Sequence, residues 1–168
     1  MRRIEHTAFV RRSYADVCWL LDRHSDEILE LVGTAASERS AAIVEAADDT
    51  VPGFDEGHEP ELAASPFVRD DNHARLDFTW EGNATKRLLV SVDIHLDIRP
   101  LVLRGPAATT EVTLRADYQP PVQHRRSPET ALFGRRVVRA ALHELLEAFV
   151  RRLEDFEESP FGRTTTSP

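Results

Sequence analysis

Between residues 75 and 118 apolar and polar residues alternate through three consecutive segments, and few folds can use such a pattern. Leu76, Phe78 and Trp80 alternate with Arg75, Asp77, Thr79 and Glu81. Leu88, Val90, Val92, Ile94, Leu96 and Ile98 alternate with Leu89, Ser91, Asp93, His95, Asp97 and Arg99. Thr110, Val112, Leu114, Ala116 and Tyr118 alternate with Glu111, Thr113, Arg115 and Asp117. Successive strand side chains point to opposite faces, so each segment predicts a strand with one buried and one solvated side. Gly82-Asn83 and Gly105-Pro106 mark the turns, and connections this short predict antiparallel neighbours.

A sheet with one apolar face needs a cover, and the chain supplies one. Gln119-Pro120-Pro121 stops the last strand, and Ser127-Pro128-Glu129 gives an N-cap, a proline at the first helical position and an acid at the second. The spacing predicts a helix from Pro128 to about Glu157, roughly 45 Å long at 1.5 Å per residue. Leu142, Leu145, Leu146, Phe149, Leu153 and Phe156 form its apolar stripe, and Glu144, Glu147, Arg151 and Glu154 lie largely away from it. Ser159-Pro160 ends the helix, leaving 159–168 as a frayed tail to one domain over 1–158.

Upstream, residues 3–10 read as a first strand, with Ile4, His6, Ala8 and Val10 on one face, rather than as a cleaved leader. Ser13 reads as a helix cap, with Asp16 completing a variant capping box. Ser25 reads as the cap of a second short helix that ends at Gly33 or runs on through Ser40. Ala41–Ala47 reads as strand on the strength of Ile43 and Val44. Residues 48–58 read as a loop, and 59–68 as a weak strand whose Pro60 and Pro66 suit an edge or bulge.

At 168 residues, 41% of them hydrophobic and 30% charged, the chain is sized for one soluble α+β domain. No apolar run reaches the ~18–20 residues that span a bilayer. The net charge of −8 argues against a nucleic-acid partner. Cys18 is the only cysteine, so a disulfide within the chain is impossible, and a cytoplasmic location fits. No P-loop, nucleophile elbow or dinucleotide fingerprint is present, so no cofactor is expected.

Strand, two short helices, several antiparallel strands and one long helix: this order resembles the START-like or SRPBCC superfamily. The resemblance covers about residues 3–157. It rests on Arg12-Ser13-Tyr14-Ala15-Asp16-Val17, the three alternating strands, and the helix after Tyr118-Gln119-Pro120-Pro121. It implies a helix-grip fold, a curved antiparallel sheet of about six strands wrapped around the C-terminal helix with a cavity between them. The family includes polyketide cyclases and dehydratases, lipid-transfer domains and ligand-binding allergens, so the fold leaves function open.

The alternation turns Leu76, Phe78, Trp80, Val90, Val92, Ile94, Val112, Leu114, Ala116 and Tyr118 inward, and Phe133, Val137, Ala140 and Ala141 of the last helix would roof them. Small residues at Ala116, Ala140 and Ala141 would leave volume for a small apolar molecule or lipid, as cargo or signal. The same residues also suit a closed core, since protein interiors pack to crystal-like density. His6 and Tyr118 are the candidate inward polar groups, able to orient a ligand or serve a cyclase- or dehydratase-type enzyme. Bonding to backbone or water is their plainer role. An interaction protein with a filled core is the third reading. Asp93, His95 and Asp97 share the outward face, where pairing with Arg115 or Arg75 is plainer than metal ligation, because same-face neighbours stand ~6.5–7 Å apart along a strand. The reading therefore leans towards a binder without catalysis.

Overall fold

The computed structural model describes residues 2–46, 61–83, 89–101, 109–118 and 128–156. The elements run β1 (Arg2–Val10), α1 (Tyr14–Glu45), β2 (Glu61–Ala64), β3 (Val68–Arg69), β4 (Ala74–Asn83), β5 (Leu89–Leu101), β6 (Thr109–Tyr118) and α2 (Pro128–Asp155). The strands form one antiparallel six-stranded sheet in the order β1-β6-β5-β4-β2, with β3 also paired to β4. Two long helices, α1 after β1 and α2 after β6, complete an α+β helix-grip fold.

Register turns the alternation into rows that cross the sheet. On the inner face one row is Trp80, Val92 and Tyr118, continued at its ends by the backbones of Leu62 and Arg2. The next is Ala64, Phe78, Ile94, Ala116 and Ile4, followed by Leu76, Leu96, Leu114 and His6, and then by Ala74, Ile98, Val112 and Ala8. Every β4–β6 member of these rows is buried, and all of them join one core cluster. Val137, Val138, Ala141, Leu142, Leu145, Leu146, Phe149 and Leu153 bring α2 into that cluster. Val17, Leu20, Leu21, Ile28, Leu29, Val32 and Ala36 bring in α1, which packs on α2, β4 and β2.

The entry to α1 follows the expected chemistry. Asp16 N–H donates to Ser13 Oγ at 3.1 Å, and Ser13 Oγ donates back to Asp16 Oδ2 at 2.8 Å. Beyond it the structure differs from the sequence reading. The two short helices expected after β1 are limbs of one helix, joined at a kink where His24 leaves helical geometry (φ −129°, ψ 16°). The second limb is not short: it passes through Gly33 and continues to Glu45, so most of the strand expected over 41–47 is helical. The physical reason is a run of strong helix formers. Ala35, Ala36, Ala41 and Ala42 outweigh the β-branched Ile43 and Val44. Gly33 is buried rather than exposed at a helix end, and Thr34 and Ser40 hydroxyls donate back to the Glu30 and Ala36 carbonyls.

The weak strand expected over 59–68 appears as two short pieces, β2 and β3, with Pro66 between them. The loop expected over 48–58, the turn at Gly105-Pro106, the cap at Ser127 and the 159–168 tail lie outside the described residues. No helix among the described residues is long and apolar enough to cross a membrane.

Candidate functional site

Among the described residues the inner face is apolar except at Trp80, Tyr118, His6 and Thr110, whose hydroxyl is spent on the Arg12 carbonyl, and register decides where these lie. Trp80 and Tyr118 flank Val92 in one row, two strands apart, which sets their backbones roughly 10 Å from each other. Trp80 is 2% exposed, and its indole N–H is buried with no acceptor among the described residues. Tyr118 is 1% exposed, and its side chain is engaged. A buried donor without a partner forfeits its bond to water, which costs about 1–3 kcal/mol. Ser37, on the limb of α1 beyond the kink, has a buried hydroxyl in the same condition. The Trp80 N–H and the Ser37 hydroxyl are thus two of the buried groups that lack a partner among the described residues.

His6 lies elsewhere. It is opposite Leu114, two rows from Tyr118, roughly 13 Å away along the strands. β1 is an edge strand, and the His6 ring faces α2, where its centroid is 5.6 Å from that of His143. Burial first, and then the charges of His143 and Arg139, hold its proton affinity below the ordinary 6.5. The structure thus does not bring His6 and Tyr118 together as one acid–base pair. The spacing of the sequence shows which face each occupies but not which row.

The other candidates divide cleanly. Leu76, Phe78, Val92, Ile94, Val112, Leu114 and Ala116 are inward and buried; so are Val137 and Ala141, while Ala140 is half-buried. The side chains of Val90 and Phe133 lie outside the described residues. Cys18 is buried beside Tyr14, and burial pushes its thiol up, the behaviour of a packing residue rather than a nucleophile.

The outer face is a lattice of paired charges. Asp97, 9% exposed, holds His73 at 3.0 Å and also binds Arg115, whose Nε lies 3.3 Å from Glu5. Asp77 receives Arg75 at 2.7 Å and His95 at 2.8 Å. Burial opposes its ionisation, but those two hydrogen bonds outweigh burial and keep the carboxyl below its usual range. Asp93 and Asp117 stand opposite each other, the first bonded by Thr79 at 3.1 Å and the second 3.6 Å from Arg3. Two open depressions lie on this face. One, of about 460 Å³, is lined by Arg3, Glu5, Arg75, His95, Asp97 and Arg115. The other, of about 340 Å³, is bordered by Asp77, Thr79, Asp93, His95 and Asp117. Their charges already answer one another. No group of three or more His, Cys, Asp or Glu among the described residues is placed to hold a metal.

No family model matches the chain, and no curated protein matches it. Among solved structures it is similar to the Zhui aromatase/cyclase from Streptomyces sp. R1128, at 16% identity and a TM-score of 0.37 over 91% of this chain and 93% of that one. It is also similar to a conserved protein from Geobacillus kaustophilus, at 10% identity and a TM-score of 0.48 over 90% and 95%. A third is norcoclaurine synthase from Thalictrum flavum, a point mutant bound to a transition-state analogue, at 14% identity and 0.36 over 90% and 93%. Likenesses this distant say nothing of ligand or reaction.

Proposed function

We propose that the chain is a START-like binding domain, a carrier or sensor, that holds a small apolar molecule bearing a hydrogen-bond acceptor between its sheet and its two helices. The observation that carries this reading is the Trp80 indole N–H, buried on the inner face with no acceptor. A carbonyl, ether or hydroxyl oxygen on an otherwise apolar lipid or polyketide-like molecule would complete that bond, and the flanking Phe78, Val92 and Ile94 would desolvate the rest.

Binding without catalysis fits better than a cyclase or dehydratase. The two titratable inner-face candidates, His6 and Tyr118, stand two rows apart and do not converge on one reacting atom. A small-molecule partner also fits better than a nucleic acid, because Arg75 and Arg115 on the outer face are matched by carboxylates instead of being free for phosphates. The lone buried Cys18 suits the cytoplasm.

Native mass spectrometry of the protein as purified tests the reading. The expected spectrum carries an added small mass that denaturation releases and that Trp80→Phe depletes. A spectrum of protein alone, unchanged after incubation with lipid and polyketide extracts, would overturn it.

A further inference from the structure

β1 is hydrogen-bonded to β6 along one side only, so its other side depends on α2 for cover. Within that contact, two histidines and an arginine stand close together. His6 projects from β1 towards α2, and its ring lies 5.6 Å from that of His143 at an interplanar angle of 47°. His6 Nε2 is buried with no hydrogen-bond partner among the described residues. Arg139, one helical turn before His143, adds a fixed charge to the same place.

We propose that this seam is an acid-operated latch: protonation of His6, beside the fixed charge of Arg139 and against the His143 ring, pushes the middle of α2 off β1 and opens that edge of the inner face. The opening itself follows from the seam. Its use, release of a bound molecule, rests on the binding function proposed above.

The groups that meet His6 all favour this outcome. From α2 they are His143 and Arg139. From β6 the opposite residue is Leu114, flanked on the inner face by Val112 and Ala116, none of them titratable. On β1 the inner-face neighbours are Ile4 and Ala8. The carboxylates of α2 nearest to His143 are Glu144, held by Arg151 at 2.7 Å, and Glu147; neither pairs with His6 or His143 among the described residues. While neutral, the two imidazoles pack as flat, weakly polar rings. Once protonated, His6 is a cation beside the fixed charge of Arg139 at a partly buried edge, with no carboxylate paired to it among the described residues.

The direction of the pH effect follows from linkage. His6 holds its proton less readily in the fold than in the unfolded chain, where the ordinary value is 6.5. The seam is therefore fully stable above that value. It weakens as pH falls through 6.5 towards the lower folded value, because the open chain takes up the proton more readily than the closed one.

Hydrogen exchange of the full chain at about pH 7.5 and 5.5 tests the latch. The comparison protein is the double variant His143→Gln/Arg139→Gln, both of whose positions are exposed. In the unmodified protein, amides of β1 and the middle of α2 should lose about tenfold or more of their protection at the lower pH, after correction for intrinsic rates, while those of β4 and β5 do not. In the double variant the loss should fall to about threefold or less. Equal losses in the two proteins, or none in the unmodified one, would overturn the proposal. 6-Propionyl-2-(dimethylamino)naphthalene, an uncharged apolar dye that carries a carbonyl acceptor, tests the link to binding. Dye held at pH 7.5 and released at 5.5 only by the unmodified protein supports gating. Dye retained after the seam has opened refutes gating. Dye that never binds refutes the binding function and leaves the latch to be decided by exchange.

Discussion

Replacing Trp80 by Phe removes one atom group that the ligand-free protein does not satisfy, and the consequences in the two states have opposite signs. The smaller ring loses apolar contact: about 40 Å² at 25 cal/mol per Å² is about 1 kcal/mol, and a residual cavity adds more. Against that, the variant no longer buries a lone N–H, which recovers about 1–3 kcal/mol. Trp80 is 2% exposed, so little of either contribution is relieved by solvent. The ligand-free variant should therefore unfold in urea within about 1 kcal/mol of the parent, much closer than a purely apolar truncation at a similar depth. In the bound state the balance reverses. The variant lacks the donor, and losing a net 0.5–1.5 kcal/mol hydrogen bond should weaken binding of the co-purifying molecule roughly two- to tenfold by calorimetric titration. A ligand-free variant destabilised by about 3 kcal/mol or more, with unchanged affinity, would show that the indole already has a partner in solution.

Phe149, fully buried where α2 meets the core, has no polar atom to offset its loss, so Phe149→Ala should cost about 3–5 kcal/mol in urea unfolding. Arg12 donates to the Glu154 and Phe156 carbonyls at the end of α2, and Arg12→Met, which keeps the aliphatic stem, should cost about 1–3 kcal/mol and raise exchange in the last turn of α2. The Glu154 carboxyl is held below its usual 4.5 chiefly by the side-chain hydrogen bond from Arg11. Its contribution is complete above that value and lost as pH falls through the lower folded one, so Glu154→Gln should flatten the acid limb of a thermal-midpoint-against-pH curve below about 4.5 while leaving its shape above pH 6 unchanged.

The sheet was legible in the sequence because a half-buried strand must alternate. Leu76, Phe78 and Trp80 are inward and Asp93, His95 and Asp97 outward for that reason alone. The outer pairing of Asp97 with Arg115 and of Asp77 with His95 follows once the neighbouring strands are known. The cap at Ser13 was legible because its chemistry is local. The length of α1 was not, since Ile43 and Val44 pointed to a strand, whereas Ala35, Ala36, Ala41 and Ala42 carry the helix on to Glu45. The separation of His6 from Tyr118 was not legible either, because period two assigns a face and only register assigns a row. The partner of His6 was hidden for a further reason. His143 sits on α2, far away in sequence, and meets β1 only because that strand is the sheet edge. The unpaired state of the Trp80 N–H depends on every surrounding acceptor, so no local pattern could reveal it.

The most direct measurement follows the indole N–H itself. The chain has two tryptophans, so ¹⁵N-labelled protein gives two indole resonances, and Trp80→Phe assigns them. Stripping the co-purified molecule and adding it back should move the Trp80 signal downfield and slow its exchange while the Trp19 signal stays in place. A Trp80 resonance that does not respond to the bound molecule would contradict the account.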